Sequence, residues 1–461
     1  MESRRMRLQS AIDVRRFEMS REIVTIGMDD IDSPNGGCTT HFASLLVERL
    51  ESCVDKWLDY PNLIRLNPNI PYRTRGNGAI ALRMKIDSSE IDELLPTIRK
   101  MVTEYAELSY PNTNPGVALC KGKVPLQLTE FSKRAVWRTI PISLAKRLLL
   151  KLKISHFAEG NLRGIIGALA AIGHGLEHDY TYEYIAYRAM DSCDAPRGVD
   201  SISVREMNEI MKGRTFANIE EKTQQVLIEP QGPDPVLYGI RGDHPDDVLE
   251  AASMVRSIQP VERWMIFRTN QATGEHLQNH LKISELRPYM SANVSCVVEV
   301  NPRIIEGGHV IFTVRDQTGS IDCATYEPTG DFRWIVSDLL VGDRIIVQAG
   351  VRPASRTHGM TLNLEGLQII ELAENIQAEN PLCEKCGRRM KSAGKNQGFK
   401  CVVCGHKDIS IKKRETSIKR NLHPGVYIPP ASAQRHLTRP YSRFGIQNFH
   451  PIMMIAKWHN P

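Results

Sequence analysis

The sequence predicts a multidomain chain: an α/β and α+β body, then an OB-type β-barrel, then a zinc ribbon. Three observations predict it. Strand-like and helix-like runs mix throughout residues 20–260, and five or so short β-patterned runs follow between Ser291 and Leu372. Four cysteines then fall within 22 residues as Cys383-x2-Cys386 and Cys401-x2-Cys404. A chain of 461 residues has room for two to four domains at roughly 100–200 residues each. Its 41% hydrophobic and 24% charged residues exclude wholesale disorder and fibrous classes. No apolar run approaches the roughly 20 residues that a membrane span needs, and nothing near the start resembles a signal core.

Residues 1–22 are Arg-rich without an apolar block and are read as an extension, disordered or dispensable. Ile23–Met28 (IVTIGM) is a short buried strand. After the turn-rich DDIDSPNGGCTT, apolar residues at helical spacing from Phe42 to Trp57 predict a helix over Thr40–Trp57. Extended pieces at Leu63–Leu66 and Ala79–Ile86 and a helix over Ser89–Ala106 follow. A second helical block covers Ser132–Lys151, and GNLRGIIGALAAIGHG reads as tight helix packing. VLIEP (Val226–Pro230) is strand-like and Pro245–Ile258 helical. The runs CVVEV, HVIFTVRD, SIDCATY, DRIIVQAGV and MTLNLEGLQII, with one helical patch at Phe332–Leu340, suit a five-stranded Greek-key barrel. The resulting divisions are 23–260 (catalytic body), 261–288 (connector), 289–375 (barrel), 381–410 (ribbon) and 411–461 (basic tail of little periodicity).

Charge is distributed unevenly. From Pro381 to Pro461 there are 16 Lys and Arg against three acids, +13, which leaves −7 for the rest of a +6 chain. A basic end suits a polyanion such as nucleic acid, and equally suits a solvated tail. The other six cysteines are scattered singly, the pattern of a reducing, cytoplasmic compartment.

Two knuckles of the C-x2-C type, 14 residues apart, complete a tetrahedral Zn²⁺ site from Cys383, Cys386, Cys401 and Cys404. Four protein ligands leave no open position, so the metal is structural; redox use is the alternative. The loop from Asp29 to Thr40 is the catalytic candidate. Asp29, Asp30 and Asp32 repel one another unless a cation neutralises them, and Mg²⁺ with nucleotide phosphates fits that requirement. The loop opens a helix, where backbone N–H groups favour phosphate, so Ser33, Gly36, Gly37 and Thr40 are phosphate-binding candidates. The hydroxyls of Thr39 and Thr40 could cap the helix, contact phosphate or accept a phosphoryl group; an Asp-rich turn with a Thr cap is the plain alternative. Arg73, Arg75 and Asn77 in RTRGNG, Arg163 in GNLRG, and Asp234 and Arg241 in GPDPVLYGIRGD are substrate candidates. On the barrel, Tyr326 and Trp334 could stack bases, while Phe312 reads as core.

Taken in order, VTIGMDDIDSPNGGCTT, NPNIPYRTRGNGAIALRM, GNLRGIIGALAAIG, GPDPVLYGIRG, FRTNQATGEHL, GGHVIFTVRDQTGSIDCATYEPT, the knuckles and YIPPASAQRHLTRP resemble the archaeal isoleucine-tRNA 2-agmatinylcytidine synthetase (TiaS) family. The likeness spans about Ile23 to Arg443. It implies a kinase-like domain with a ferredoxin-like domain, then an OB fold and a zinc ribbon. It further implies an ATP-dependent ligase that replaces the C2 oxygen of the wobble cytidine of the minor, CAU-anticodon isoleucine tRNA with agmatine, so that AUA is read. Asp29, Asp30 and Asp32 match the family's acidic motif, with ATP, Mg²⁺ and structural Zn²⁺ as its cofactors, and Thr39 matches a threonine that becomes phosphorylated. Ile31 stands where the family commonly has Thr, and TNQATGEHL departs from the usual TNQGTDAHL, which bears on Thr269, Asn270 and His276. The rival classes are a non-catalytic RNA-binding protein and a kinase for another acceptor.

Overall fold

The computed structural model describes residues 21–73, 76–190 and 195–460. Its body is built on one large mixed sheet whose first half is formed by β1 (Arg21–Asp29), β2 (Val54–Trp57), β3 (Asn62–Arg65), β4 (Gly78–Asp87), β5 (Gly116–Lys121) and β6 (Ser155–Ala158). Its second half comprises β7 (Thr181–Tyr187), β8 (Thr215–Phe216), β9 (Val236–Gly242) and β10 (Arg263–Thr269). The order is β6-β5-β1-β4-β3-β10-β7-β9-β8, with β2 on β4. The halves meet at a short parallel seam, Arg268 against Asn62 and Thr269 against Leu63. The Thr269 hydroxyl donates to the Leu63 carbonyl at 2.6 Å, and Asn270 brackets Arg65 through both its amide atoms. Thr269 and Asn270 are thus buried fixtures of the seam, while His276, also buried, faces the Glu365 carboxylate at 2.9 Å.

Helices α1 (Thr39–Leu50), α2 (Ile91–Tyr105), α3 (Leu126–Ala135), α4 (Ile142–Leu152) and α5 (Gly164–Gly173) cover the first half, and α6 (Ser201–Ile210) and α7 (Pro245–Met254) the second. Three expectations need correction. The helix after the acidic loop stops at Leu50, and Val54 and Trp57 instead join β2 against β4; their spacing is helical, and a bulge between Val54 and Lys56 brings them opposite Ile86 and Met84 on the β4 edge. The block over Ser132–Lys151 is two helices, because Pro141 stands at the start of α4 and breaks the pattern. VLIEP forms only an isolated bridge, Val226 to Ile219, rather than a strand.

Helix α5 is the tightest element. It lies flush on β1, β4 and β5 because glycine occupies both surfaces: a Cβ on Gly27 would sit 2.0 Å from the Ala168 carbonyl oxygen, and one on Gly116 2.3 Å from Gly164. The small-residue run therefore means packing, as its sequence suggests.

A closed five-stranded barrel follows: β11 (Ser291–Ile304), β12 (Val310–Asp316), β13 (Gly319–Thr325), β14 (Arg344–Arg352) and β15 (Thr361–Glu371), closed by the parallel pair β13–β15. The short helix α8 (Phe332–Ser337) packs beside it, and Phe312 is core, 1% exposed. A two-stranded stalk, Ile376–Glu379 against Arg414–Ser417, carries the ribbon.

Both remaining segments are more ordered than their sequences suggest. The stretch 261–288 contains β10, so it is part of the body's sheet as well as a connector. The basic tail is a docked strap. Gly425–Tyr427 adds to the barrel edge at β15, Trp458 packs on Trp57 and Tyr60, and His459–Asn460 pairs with β10. Arg443 is fully buried, with its guanidinium on Asp179 at 2.9 Å and Asp243 at 2.8 Å. Isolated anchors of this kind leave no periodicity to read. No helix among the described residues is long and apolar enough to cross a membrane.

Candidate active site and zinc ribbon

Strand β1 delivers Asp29 to the end of the sheet, where the chain turns into the acidic loop. Asp30 adopts a left-handed backbone (φ 60°), and its carboxylate accepts the Asn114 N–H at 3.1 Å. Asp32 is buried, and the Thr39 hydroxyl donates to its Oδ1 at 3.2 Å while accepting the Ile31 N–H at 3.3 Å. Thr39 therefore does not cap α1. Cys38 is the N-cap residue and its side chain makes no capping bond, so the first-turn amides remain available to an anion.

The electrostatics are those of a cation site. Burial, followed by the charges of Asp30 and Asp32, holds the Asp29 carboxyl well above the usual range. Asp30 is pushed up to about 7, by burial first and Asp32 second, against the lowering pull of Asn114 and Arg163. Carboxylates that resist ionising side by side are relieved by a bound cation. Helix α5 presses on them from behind, since a Cβ on Gly167 would lie 1.8 Å from Asp29 Oδ2.

Asp29, Asp30, Asp32, Thr39, Thr40, Arg73, Asn77 and Arg163 all line one cleft, a convergence of three separate motifs. Arg65 and Arg138 join them, neither marked by any local motif. The Arg163 guanidinium stacks 3.9 Å above the Tyr72 ring at the rim. Ser33, Gly36 and Gly37, expected at phosphate, do not line the cleft. The Ser33 hydroxyl donates to Glu107 at 2.6 Å, Asn35 joins the same carboxylate at 3.1 Å, and the Cys38 N–H donates to the Tyr105 hydroxyl at 3.0 Å. The end of α2 thus clamps the loop from outside. The same Tyr105 oxygen lies 2.9 Å from His41 Nδ1.

Arg241 lies in an adjoining cavity, on Glu183 at 2.9 Å. Asp234 borders that cavity but is buried, accepting the Val236 N–H at 3.0 Å and pairing with Arg197 at 3.4 Å, so its role is to hold the turn. Arg75 lies outside the described residues. Tyr326 and Trp334 stand on the barrel and line neither cavity. Tyr326 donates to Asn363 at 3.1 Å and accepts from Arg352 at 2.9 Å, while Trp334 is 45% exposed beneath Arg333.

In the ribbon, the sulfurs of Cys383, Cys386, Cys401 and Cys404 all lie within 4.8 Å of one another. The closest approaches, 3.5 Å for Cys383–Cys404 and 3.4 Å for Cys386–Cys401, are near the ~3.8 Å edge of a tetrahedron with Zn–S bonds of about 2.3 Å. The N–H groups of Cys404 and Val403 hold the Cys401 thiol down to about 6, while the hydrogen bond that Cys386 shares with it pushes the Cys386 thiol up to about 12.

Comparison with known proteins matches three family descriptions: "TiaS TCKD domain" over residues 25–161, "TiaS FLD domain" over 163–276 and "TiaS C-terminal zinc ribbon domain" over 380–422. The chain is 43% identical over 440 residues to a protein of Staphylothermus marinus named as TiaS, the 2-agmatinylcytidine synthetase of the isoleucine-2 tRNA, covering 94% of this chain and 96% of that one. A protein of the same name from Archaeoglobus fulgidus is 39% identical over 427 residues, covering 93% and 99%. Among solved structures, a complex of TiaS with the isoleucine-2 tRNA and ATP superposes with a TM-score of 0.83 at 38% identity, covering 94% and 99%. A complex of TiaS with the same tRNA, AMPCPP and agmatine gives 0.81 at 36%, covering 93% and 99%.

Proposed function

Because the chain belongs to the TiaS family, we propose that its acidic cleft is where ATP is used to join agmatine to the cytidine of the isoleucine-2 tRNA. The enzyme is a 2-agmatinylcytidine synthetase; its substrates are ATP, agmatine and the isoleucine-2 tRNA, and its ribbon is the zinc ribbon of that family. The observation that carries the site is the Thr39 hydroxyl on Asp32, 3.2 Å apart, at the uncapped start of α1 and in one cleft with Asp29, Asp30, Arg65 and Arg163.

Asp29, Asp30 and Asp32 would hold Mg²⁺, which when bound neutralises the phosphates and holds them in line for transfer. The amides of α1, with Thr40, receive phosphate oxygens, and Arg163 spreads charge at the rim. The C2 oxygen of the cytidine takes a phosphoryl group that originates from ATP. The agmatine amine then adds at C2 and phosphate departs with the former C2 oxygen, leaving a C–N bond. A carbonyl oxygen is a poor leaving group, and the phosphoryl group makes its departure feasible. Asp32 accepts a proton from the Thr39 hydroxyl, so Thr39 is placed to take a phosphoryl group itself. A base within a stacked anticodon loop must be extruded to reach the cleft. We assign the enzyme to the cytoplasm, consistent with free cysteines outside the ribbon.

The test is nucleoside mass analysis after incubation with ATP, Mg²⁺, agmatine and unmodified CAU-anticodon tRNA. An agmatine adduct is expected from the wild type and none from Asp32→Ala. An undiminished adduct from Asp32→Ala refutes the site, and none from the wild type refutes the reaction.

A further inference from the structure

The cavity beside the acidic cleft has a charge that the chemistry above does not use. It shares Arg65, Leu66, Arg73 and Gly76 with the cleft, so the two are neighbours across a common wall. Among the described residues, four arginines border it from separate parts of the chain: Arg65 at the end of β3, Arg73 on the loop after it, Arg241 on β9 and Arg435 on the C-terminal strap. His436 stands among them. Arg241 Nη2 donates to His436 Nδ1 at 3.2 Å, which leaves the ring's N–H on Nε2. The ring is exposed at the cavity mouth, and the charge of Arg65 acts first on it, then desolvation, then Arg241, Arg73 and Arg435. Together they keep the imidazole neutral, its pKa far below the ordinary value.

Carboxylates on the lining are few and already engaged. Glu183 is shared: its Oε1 accepts from Arg241 at 2.9 Å and its Oε2 stands 3.8 Å from Arg65, with the Gln271 amide on the same oxygen. Elsewhere on the lining, Asp234 is neutralised by Arg197, and Glu229 binds the Val199 N–H. Arg65 Nε is buried without a hydrogen-bond partner. The geometry is nonetheless fixed. The Ala272 N–H donates to the His436 carbonyl at 2.9 Å and the Gly274 N–H to the Leu437 carbonyl at 2.7 Å. A Cβ on Gly76 would fall 2.6 Å from Arg65 Nη1 and 2.8 Å from His436 Nε2, so the backbone there packs directly on the cluster. Four guanidiniums converge here, with Glu183 engaging Arg241 and Arg65 and Glu365 acting on Arg435, and a bound anion would offset the repulsion among them.

We propose that Arg65, Arg73, Arg241, Arg435 and His436 form a receptor for a backbone phosphate of the RNA, flanking the nucleotide extruded into the acidic cleft. The inference rests on that reading of the cleft. Phosphate of the triphosphate is the alternative source of the same chemistry, and two features favour RNA. The triphosphate already has its carboxylates and helix terminus in the neighbouring cleft. Two of the five residues also arrive on the strap, directly from the barrel and ribbon half of the chain. A phosphodiester held here fixes the register of the strand on either side of the reacting base, which a base-recognition pocket alone does not do.

Arg435→Gln tests this, because its side chain is exposed at the cavity mouth. Binding of unmodified CAU-anticodon tRNA, followed by fluorescence anisotropy across a salt series, is expected to weaken about tenfold. The slope of log Kd against log salt should become shallower by about one. An anticodon-loop RNA with one uncharged methylphosphonate linkage beside the wobble nucleotide should weaken wild-type binding by a similar factor and leave Arg435→Gln unaffected. Unchanged tRNA affinity and slope overturn the proposal, as does weakening that is indifferent to the position of the neutral linkage. A tenfold loss of affinity for a non-hydrolysable ATP analogue with RNA binding intact assigns the cluster to the nucleotide and also overturns it. Arg73→Gln, on an exposed loop, serves as the second variant where the first loses its fold. A wild type that forms no agmatine adduct defeats the reading of the cleft, whereas an active wild type with unaltered binding by the variants defeats this inference alone.

Discussion

Replacing Gly167 by Ala is the smallest perturbation that reaches the acidic cleft, and the structure sets its magnitude. The new Cβ would lie 1.8 Å from Asp29 Oδ2 and 2.4 Å from its Cγ, where ordinary contact begins at 3.4 Å. Either the carboxylate or the helix must therefore yield by about 1.5 Å. Retreat of the helix is opposed by α3, whose Leu128 carbonyl oxygen lies only 2.1 Å from where a Cβ on Gly173 would sit. The carboxylate moves instead. A displacement of roughly 1 Å in a positioning group costs about 10²-fold in rate, or about 2.7 kcal/mol of barrier. Stability changes less, because overpacking costs about 1–3 kcal/mol while Ala contributes about 1 kcal/mol of helix propensity over Gly. The expected signature is a 10²-fold fall in single-turnover agmatine incorporation at saturating ATP, with at most about 2 kcal/mol lost in urea unfolding. Gly173→Ala is the control: its Cβ would meet the Leu128 carbonyl oxygen at 2.1 Å, away from the cleft, so it should lose stability with little loss of rate in the folded enzyme. A Gly167→Ala enzyme within threefold of the wild-type rate would refute the argument that α5 sets the position of Asp29.

Three further outcomes are expected. His41 is 1% exposed and burial, with Arg263, lowers its pKa to about 3. The neutral ring is the native one, so its contribution is complete above the unfolded pKa of about 6.5 and is lost as pH falls towards 3, by about 3 kcal/mol at pH 4.5. Urea titrations from pH 7 to 4.5 should show this slope in the wild type and a shallower one in His41→Gln; equal slopes would remove His41 from the account. Arg443→Ala leaves Asp179 buried with Arg439 as its remaining cationic partner and should cost about 3–5 kcal/mol in chemical denaturation, a loss under 1 kcal/mol contradicting the clamp. A strong chelator should release one Zn²⁺ per chain by metal analysis and raise the protease sensitivity of residues 381–410, while the body keeps its unfolding midpoint; a metal content well below one at the outset would count against the ribbon assignment.

Local signals were legible where neighbours in sequence do the chemistry. The four cysteines and the Asp29–Asp32 loop each declare their chemistry within a few residues, and the glycines of α5 declare close packing without saying on what. The residues that pass unnoticed are those whose meaning lies in a partner far along the chain. Arg65 reads as one polar residue in an extended run, yet Asn270, some two hundred positions away, holds its backbone. Tyr105 and Glu107 sit at the end of an ordinary amphipathic helix and become loop clamps only once α2 lies beside α1. Ser33, Gly36 and Gly37 have the right chemistry for phosphate, but the loop sets Ser33 on Glu107, Gly36 towards the Pro233 carbonyl and Gly37 against Tyr105. The tail misleads most. Its net charge suits a polyanion or a solvated tail, whereas the anchors that dock it, Arg443, Leu437 and Trp458, are too widely spaced for any periodic pattern. Deleting everything after Ile411 would consequently remove packing from the body along with basic residues.

The pairing of His459–Asn460 with β10 has a topological consequence. The chain leaves the large sheet just after Thr269 and comes back to the very strand it left, Trp264 facing Asn460 and Met265 facing His459. Barrel, stalk and ribbon together are thus an excursion with both ends fastened to one strand, closer to a handle on the body than to a string of domains. A handle cannot swing as a terminal arm does, so the ribbon is joined to the body along a path fixed at two points. Arg435 and His436 lie on the returning limb of that handle.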